Sequence, residues 1–434
     1  MKEQMLKRIA ERDLTVGVVG LGYVGLPLAT AFALKGVRVL GFDTNSEKIA
    51  EMKKGRCLVA DVRGEDFSSA VASGRLTFSD MPDDLSACEA FILCVPTPLD
   101  EYRKPDTSYI RAASTMVGAY LRPGTFVSLE STTYPTTTEH VVCPILEETS
   151  GLAAGFDFWV CFSPERVDPG NTHFHTANTP KVIGGINPDS LDVGIRLYSM
   201  CVDNMHPVSS PRIAEMVKIL ENTYRLVNIS LINEIALLCT RMDIDIWETI
   251  DAAKTKPFGF QAFYPGPGIG GHCIPLDPFY LQHIAKGFKF DLTLIEAAGQ
   301  INTQMPYRMS IKITYALNLH KKAVNNSRIL FLGVSYKPDI DDPRESPALE
   351  IMDICHHKGA KVLYHDPHVP RVDTQRGLHL TSRPLTKELL AGVDCVVITT
   401  NHRCFDYGFI VEHSPLVVDL RNAVLEKHEK VVRL

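Results

Sequence analysis

At 434 residues the chain exceeds one ordinary hydrophobic core, and roughly two to three domains are expected. With 45% hydrophobic and 22% charged residues the composition is that of a globular protein, and a net charge of −6 without a basic block excludes a nucleic-acid footprint. No apolar run reaches the ~18 residues a bilayer span needs, and residues 1–12 are too charged for a signal peptide, so no membrane partner and a cytoplasmic location are expected.

Thr15-Val-Gly-Val-Val19 reads as a first strand. It runs into Gly20-Leu-Gly-Tyr-Val-Gly25, after which a helix carries Pro27, Leu28, Ala31 and Leu34 to a stop at Gly36. Val37-Arg-Val-Leu-Gly-Phe42 is the next strand and ends at Asp43. Gly20, Gly22 and Gly25 allow a tight turn and a close approach of backbone to a pyrophosphate at the helix N-terminus. Tyr23 and Val24 lie in that turn. Asp43 follows Gly25 by 18 residues; its carboxylate suits a ribose diol and repels a 2′-phosphate, so NAD is expected over NADP, while FAD is the rival that the later segments weigh against.

Further strands are expected near residues 90–95, 125–129 and 158–162, alternating with amphipathic stretches. The class is therefore α/β, with a doubly wound, Rossmann-like parallel sheet. Phe162-Ser-Pro-Glu-Arg166 places Glu165 and Arg166 at a strand end, where ligands bind in such sheets.

From Ser209 to Ala253 the pattern becomes helical. Ile213, Met216, Val217, Leu220, Tyr224, Val227, Leu231 and Ile235 recur at three- and four-residue steps. Such length suggests a bridge between domains or a dimer surface. Lys218 and Asn222 stand four apart, on one helix face, where they would either stabilise an oxyanion or lie on a solvated face. The run Pro265-Gly-Pro-Gly-Ile-Gly-Gly-His-Cys-Ile-Pro-Leu-Asp277 then strips side chains from the approach to Cys273, with His272 and Asp277 beside it. From this segment alone, a reactive thiol and a buried structural cysteine are equally open.

A second helical stretch covers about residues 291–319. A second α/β unit begins near Ser327, with strands at 328–332 and 361–365 and a helix at 348–357. Its turn, from Gly333 to Ser346, lacks a second Gly-x-Gly-x-x-Gly and suits a nucleotide other than a dinucleotide. The 11 cysteines include no Cys-x-x-Cys, and Cys94, Cys239 and Cys395 sit in apolar runs as small hydrophobes. His173-Phe-His175, His356-His357 and His365-Asp-Pro-His368 lack a convincing ligand spacing, and no metal is expected.

Seven segments in order resemble one family: the Gly20–Gly25 turn, Val95-Pro-Thr-Pro98, Glu130-Ser-Thr132, Ser163-Pro-Glu-Arg166, Val217-Lys-x-x-Glu-Asn222, Gly270-Gly-His-Cys-Ile-Pro275 and Arg344-Glu-Ser-Pro-Ala348. The set is similar to the UDP-glucose/GDP-mannose dehydrogenases over essentially the whole chain. The resemblance implies an NAD-binding domain (residues 1–207), a central helical domain that forms a homodimer or higher homo-oligomer (208–322), and a Rossmann-like UDP-sugar domain (323–434). It implies two successive hydride transfers at C6 of a sugar, with Cys273 as the nucleophile. Lys218 and Asn222 would stabilise oxyanions, Asp277 and Thr132 would hold the catalytic water, and Glu165 would be the general base. Val24, Asp43, Lys48, Thr97, Thr132 and Arg344 fall at NAD positions. Residues 161–165 with Arg166, residues 262–266 including Tyr264 and Gly266, and Gly270 and Lys337 fall at sugar-nucleotide positions, with Lys218 and Asn222.

One departure bears on the substrate. UDP-glucose enzymes commonly carry Cys-x-x-Lys-Asp, and here Leu276 takes the lysine position. With Phe258-Gly-Phe260, this looks like the branch acting on UDP-N-acetylhexosamines, UDP-GlcNAc first, for surface-polysaccharide precursors. UDP-ManNAc, UDP-GalNAc and UDP-glucose are the alternatives. A two-electron 3-hydroxyacid dehydrogenase would leave the thiol loop unexplained, and a non-catalytic nucleotide-sugar binder would need no thiol beside Lys218, Asn222 and Asp277.

Overall fold

The computed structural model describes residues 1–434 except 60–61, 101–103, 169–170, 172 and 272, so His272 lies outside the described residues. The chain packs as two compact units, one of Met1–Glu221 with Phe279–Gly287 and one of Asn222–Pro278 with Phe288–Leu434.

The first unit is built on eight strands: β1 (Thr15–Val19), β2 (Arg38–Phe42), β3 (Leu76–Ser79), β4 (Ala90–Leu93), β5 (Phe126–Leu129), β6 (Trp159–Phe162), β7 (Lys181–Gly185) and β8 (Met205–Val208). Their order is β3-β2-β1-β4-β5-β6-β7-β8. All neighbours are parallel except β6 and β7, which run antiparallel and depart from the expected all-parallel sheet. Central strands are apolar on both faces because both faces are covered. Val16 and Val18 enter one buried cluster with Phe32 of the helix Gly25–Leu34, while Val19, Phe91 and Leu93 enter the cluster on the other face.

Register then sets the functional edge. Val19 pairs with Phe42 and Leu93, Leu93 with Leu129, and Leu129 with Phe162. The residues that follow, Gly20, Asp43, Cys94, Glu130 and Ser163, therefore emerge in one row along the carboxyl edge. The chain reverses direction across the sheet between β1 and β4, the switch point where such sheets bind ligands.

The second unit repeats the plan with β9 (Arg328–Leu332), β10 (Lys361–His365), a small antiparallel pair β11 (Arg371–Asp373) and β12 (His379–Thr381), then β13 (Cys395–Ile398), β14 (Val417–Asp419) and β15 (Val431–Arg433). Five of these form a parallel sheet in the order β10-β9-β13-β14-β15. Ile329 and Phe331 point into one core, Leu330 and Leu332 into the other. The two units share a detail that the turn sequences hide. Gly20 and Gly333 each end the first strand with positive φ, +93° and +80°, and the next N–H donates to the aspartate that follows the second strand. Leu21 N–H donates to Asp43 at 3.0 Å, and Val334 N–H to Asp366 at 2.7 Å.

The expected helix over 209–253 is two helices. Pro211–Met242 runs for 32 residues, Asp243 turns into the left-handed region (φ 55°), and Asp245 caps a new helix, Ile246–Ala253, by accepting from Trp247 and Glu248 N–H. The sequence pattern left open which face of the long helix is inside. Most of the expected apolar stripe points outward: Ile213, Met216, Leu220, Tyr224, Leu231 and Ile235 are all exposed, Leu220 by 62%. The buried face carries Ala214, Glu215, Lys218, Ile219, Asn222, Leu226, Ser230, Asn233 and Ala236. Polar groups occupy the inside because each of Glu215, Lys218, Asn222, Ser230 and Asn233 finds a hydrogen-bond partner there.

Candidate functional site

In the first unit, the turn after β1 is shaped by contact with its own backbone. A Cβ on Gly25 would lie 1.8 Å from Gly20 O, and one on Gly20 would lie 2.6 Å from Cys94 O. Gly22 is different: a Cβ there would meet nothing within 4 Å. Gly20 and Gly25 are thus required by the fold, whereas Gly22 keeps the mouth of the turn clear for an approaching ligand. Tyr23 is exposed and Val24 half-buried beside it. Asp43 accepts from Leu21 N–H, Asn45 N–H and the Lys48 ammonium, the last at 2.8 Å. Burial works against its charge, yet Lys48 and the two amides outweigh that and hold the carboxyl below its usual range. The row therefore presents an open glycine turn and an ionised carboxylate, the two features a dinucleotide's pyrophosphate and ribose diol require.

Thr97 and Thr132 lie half-buried past the ends of β4 and β5. The Thr97 carbonyl accepts from the Tyr280 hydroxyl. Glu165 follows β6; its Oε1 takes the N–H groups of Arg166 and Val167 at 2.8 and 2.6 Å, and its carbonyl takes the Lys218 ammonium at 2.7 Å. Arg166 turns back to Glu221 on the long helix at 2.5 Å. Lys218, 9% exposed, is therefore an inward, anchored cation rather than part of a solvated face. Cys161, at the start of the expected sugar-nucleotide segment 161–165, is a core residue whose Sγ faces Ser190 O, so only the later part of that segment is available to a ligand.

In the second unit, Cys273 is exposed, unlike Cys94, Cys239 and Cys395, which are buried as expected. Its carbonyl accepts Leu276 and Asp277 N–H, which opens the helix Asp277–Gly287 directly behind the thiol. Asp277 is 3% exposed and its Oδ2 takes the Asn222 amide at 2.5 Å, so the fold brings together two of the expected site residues. The glycines before the thiol have a packing role that the sequence did not suggest. A Cβ on Gly266 would meet Arg421 at 2.7 Å, and one on Gly270 would meet Glu345 O and Tyr336 at 2.7 Å. They let the loop lie against its neighbours, with Gly266 N–H held by Asn233 and Ile269 N–H by Asn302. Tyr264 is 43% exposed, its ring stacked on Trp247 and its hydroxyl 3.2 Å from Asp251 and Lys254. Lys337 is half-buried in the loop after β9, and Arg344 is chelated by both oxygens of Asp342.

Three charged groups escaped the sequence reading. Arg421 follows β14, donates to Thr399 O at 2.8 Å, and is drawn down to about 10 by burial. Its position just past a buried strand, like that of Arg166, was the available signal. Glu130 and Lys181 form an ion pair at 2.7 Å, 0% and 5% exposed. A charge just past one apolar strand, Glu130, and one opening another, Lys181, were visible, but the pairing was not. A fourth difference concerns His368: among the described residues, Asp339, His368 and His402 bring possible metal-ligand atoms within 4.8 Å of one another. Both His402 nitrogens are already engaged, Nδ1 accepting from Asp339 N–H at 2.9 Å and Nε2 facing Asp366 at 3.1 Å, so the group offers no ready ligand set.

Comparison with known proteins matches three consecutive parts of the chain to models of one family. Residues 14–202 match the NAD binding domain of the UDP-glucose/GDP-mannose dehydrogenase family, 212–304 its central domain, and 330–426 its UDP binding domain. A UDP-N-acetyl-D-glucosamine 6-dehydrogenase of Pseudomonas aeruginosa is 35% identical over 395 residues, covering 91% of this chain and 92% of that protein. A UDP-N-acetyl-D-mannosamine dehydrogenase of Pyrococcus horikoshii is also 35% identical, over 420 residues, 95% of this chain and 96% of that protein. Among solved structures, the UDP-D-ManNAc dehydrogenase from Pyrococcus horikoshii superposes with a TM-score of 0.89 at 33% identity, covering 97% and 98% of the two chains.

Proposed function

Because the chain belongs to the UDP-glucose/GDP-mannose dehydrogenase family and is an NAD-dependent UDP-sugar dehydrogenase, we propose that it oxidises the C6 hydroxyl of a UDP-N-acetylhexosamine to the carboxylate in two steps. The observation that carries this reading is the exposed Cys273 thiol, opening the helix whose first residue, Asp277, is bonded to Asn222. Bound NAD supplies the hydride acceptor for each oxidation. Gly20, Gly22, Gly25 and Asp43 would hold its pyrophosphate and ribose. Lys337 and Arg421 offer cations at the carboxyl edge of the second sheet for the UDP diphosphate.

Cys273 would add to the C6 aldehyde as a thiohemiacetal, keeping it from leaving at the two-electron stage. Loss of a second hydride converts that adduct to a thioester, which water cleaves to the acid and the free thiol. Lys218, an anchored ammonium in a nearly dry position, would stabilise the oxyanions, an effect worth roughly 3–4 kcal/mol for comparable donors. Asn222 would donate to the same oxygens while Asp277 orients its amide. Thr132 and Asp277 would place the water, and Glu165 would accept its proton.

Leu276 and the Phe258-Gly-Phe260 segment support the UDP-N-acetylhexosamine class, and within it we propose UDP-GlcNAc as the first substrate to test; relatives named for GlcNAc and for ManNAc stand at the same 35% identity. The test is NADH release over a panel of UDP-GlcNAc, UDP-ManNAc, UDP-GalNAc and UDP-glucose, with product analysis. Two NADH per uronate is the expected result. One NADH with an aldehyde or ketone as the end product would refute the four-electron reading, and preference for another sugar would reassign the substrate.

We further propose that the outward apolar stripe of the long helix joins two copies, since exposed apolar side chains at successive turns over 32 residues are costly to leave in water. Leu220→Asp with Leu231→Asp is expected to shift the mass measured by light scattering from dimer to monomer. An unchanged mass would place the interface elsewhere. Among the described residues no helix is long and apolar enough to cross a membrane.

A further inference from the structure

Glu215 has no part in the chemistry proposed above, yet it is fully buried and accepts three hydrogen bonds from one turn. Thr136 N–H donates at 2.6 Å, Thr138 N–H at 2.8 Å and the Thr138 hydroxyl at 2.7 Å. Thr136 has φ 85°, in the left-handed region that a β-branched residue avoids. Such a conformation persists only where its surroundings over-determine it. The same turn is closed internally: the Thr133 and Thr137 hydroxyls lie 2.7 Å apart, and Thr137 donates to Tyr134 O at 2.8 Å. Thr132 is the residue from which this turn departs, and its neighbour Ser131 is tied to Val95 O at 2.7 Å. Lys218 sits one helical turn beyond Glu215 with its ammonium fixed on the Glu165 carbonyl.

We propose that Glu215 is a positioning residue, gripping the strained Thr136–Thr138 turn from the long helix and so holding Thr132 in a fixed relation to Lys218. The inference rests on the reading of Thr132 and Lys218 as groups that handle the water and the oxyanion. A carboxylate is what the geometry demands, because all three facing groups donate; a glutamine would turn an amide N–H₂ toward one of them. Burial pushes the Glu215 carboxyl up to about 7, while the Thr138 and Thr136 donors oppose that shift and Glu139 adds to it. Glu139 is itself paired with Arg212 at 2.8 Å.

The test compares full-length Glu215→Gln with Glu215→Gln/Thr136→Gly. For Glu215→Gln, hydrogen exchange in the peptide covering residues 133–142 is expected to quicken by about ten-fold or more. Its kcat is expected to fall on the order of 10–100-fold, the scale of a small misplacement of reacting groups. KM values for NAD and the UDP-sugar are expected to stay within about two-fold. Glycine adopts the positive φ without strain, so Thr136→Gly in the same chain is expected to restore most of kcat. A role confined to stability would move neither the kcat/KM split nor this rescue. Wild-type exchange in Glu215→Gln, or a kcat that Thr136→Gly leaves unrestored, would overturn the proposal. Should Glu215→Gln not fold, Thr138→Val removes one donor and keeps the carboxylate; faster exchange with a few-fold loss in kcat is expected, and wild-type values of both would overturn it. Exchange requires no turnover, so a wild-type protein inactive on UDP-sugars would sink the functional reading and leave this test standing.

Discussion

Cys273→Ser is expected to abolish steady NADH production, by about 10³-fold or more, with NAD and UDP-sugar binding retained. The hydroxyl is a far weaker nucleophile toward an aldehyde at neutral pH, and the second oxidation needs the sulfur adduct. Binding should survive because the thiol is exposed and its backbone carbonyl, which takes Leu276 and Asp277 N–H, is unchanged by the substitution. Steady-state NADH fluorescence, paired with calorimetric titration of each ligand, separates the two effects. Turnover at the wild-type rate would remove Cys273 from the mechanism.

Breaking the Glu130–Lys181 pair from either side is expected to cost about 3–5 kcal/mol, the penalty of an uncompensated buried charge. The pair lies inside the first unit, with the Lys181 ammonium 5.2 Å from the Tyr198 ring centroid. Burial pushes the Glu130 carboxyl up to about 7, against the pull of Lys181. A carboxyl raised from 4.5 in this way contributes stability that is present below pH 4.5 and lost as pH rises through about 7. Lys181→Met removes the ammonium whose charge and hydrogen bond hold that value down, so its deficit should be larger at pH 8 than at pH 5.5. Glu130→Gln strands the ammonium instead, and its deficit should shrink as the pH climbs and the lysine loses its proton. Urea denaturation at several pH values reads both slopes. Parallel slopes, or a deficit under about 1 kcal/mol, would mean that the pair is not acting as a buried charge couple.

The sequence carried the fold well because its evidence is local. Apolar runs ending at a glycine, such as 15–19 and 328–332, became strands within a residue of the expected limits, since a strand covered on both faces is largely apolar. The Gly20–Gly25 turn was equally legible: its glycines answer contacts within a few residues of themselves and against Cys94. The Cys273–Asp277 spacing also reads directly, because four residues is one helical turn's opening. The packing demand on the Gly266–Gly271 glycines was not legible, since it comes from Tyr336, Pro347 and Arg421, which lie far along the chain.

By itself, then, the sequence determined the strand order's raw material, the nucleotide turn, the thiol and the helix that carries Lys218 and Asn222. Only the tertiary structure decided which side of that helix is inside. Periodicity fixes the angle between an apolar and a polar stripe, but the direction of the core depends on where partners stand. Here the partners are the Thr136–Thr138 turn for Glu215, the Glu165 carbonyl for Lys218 and Asp277 for Asn222, the last 55 residues away. Hydrogen bonds that satisfy a buried polar face outweigh the local preference for burying Leu220 and Leu231, and nothing in a single helix's sequence records them.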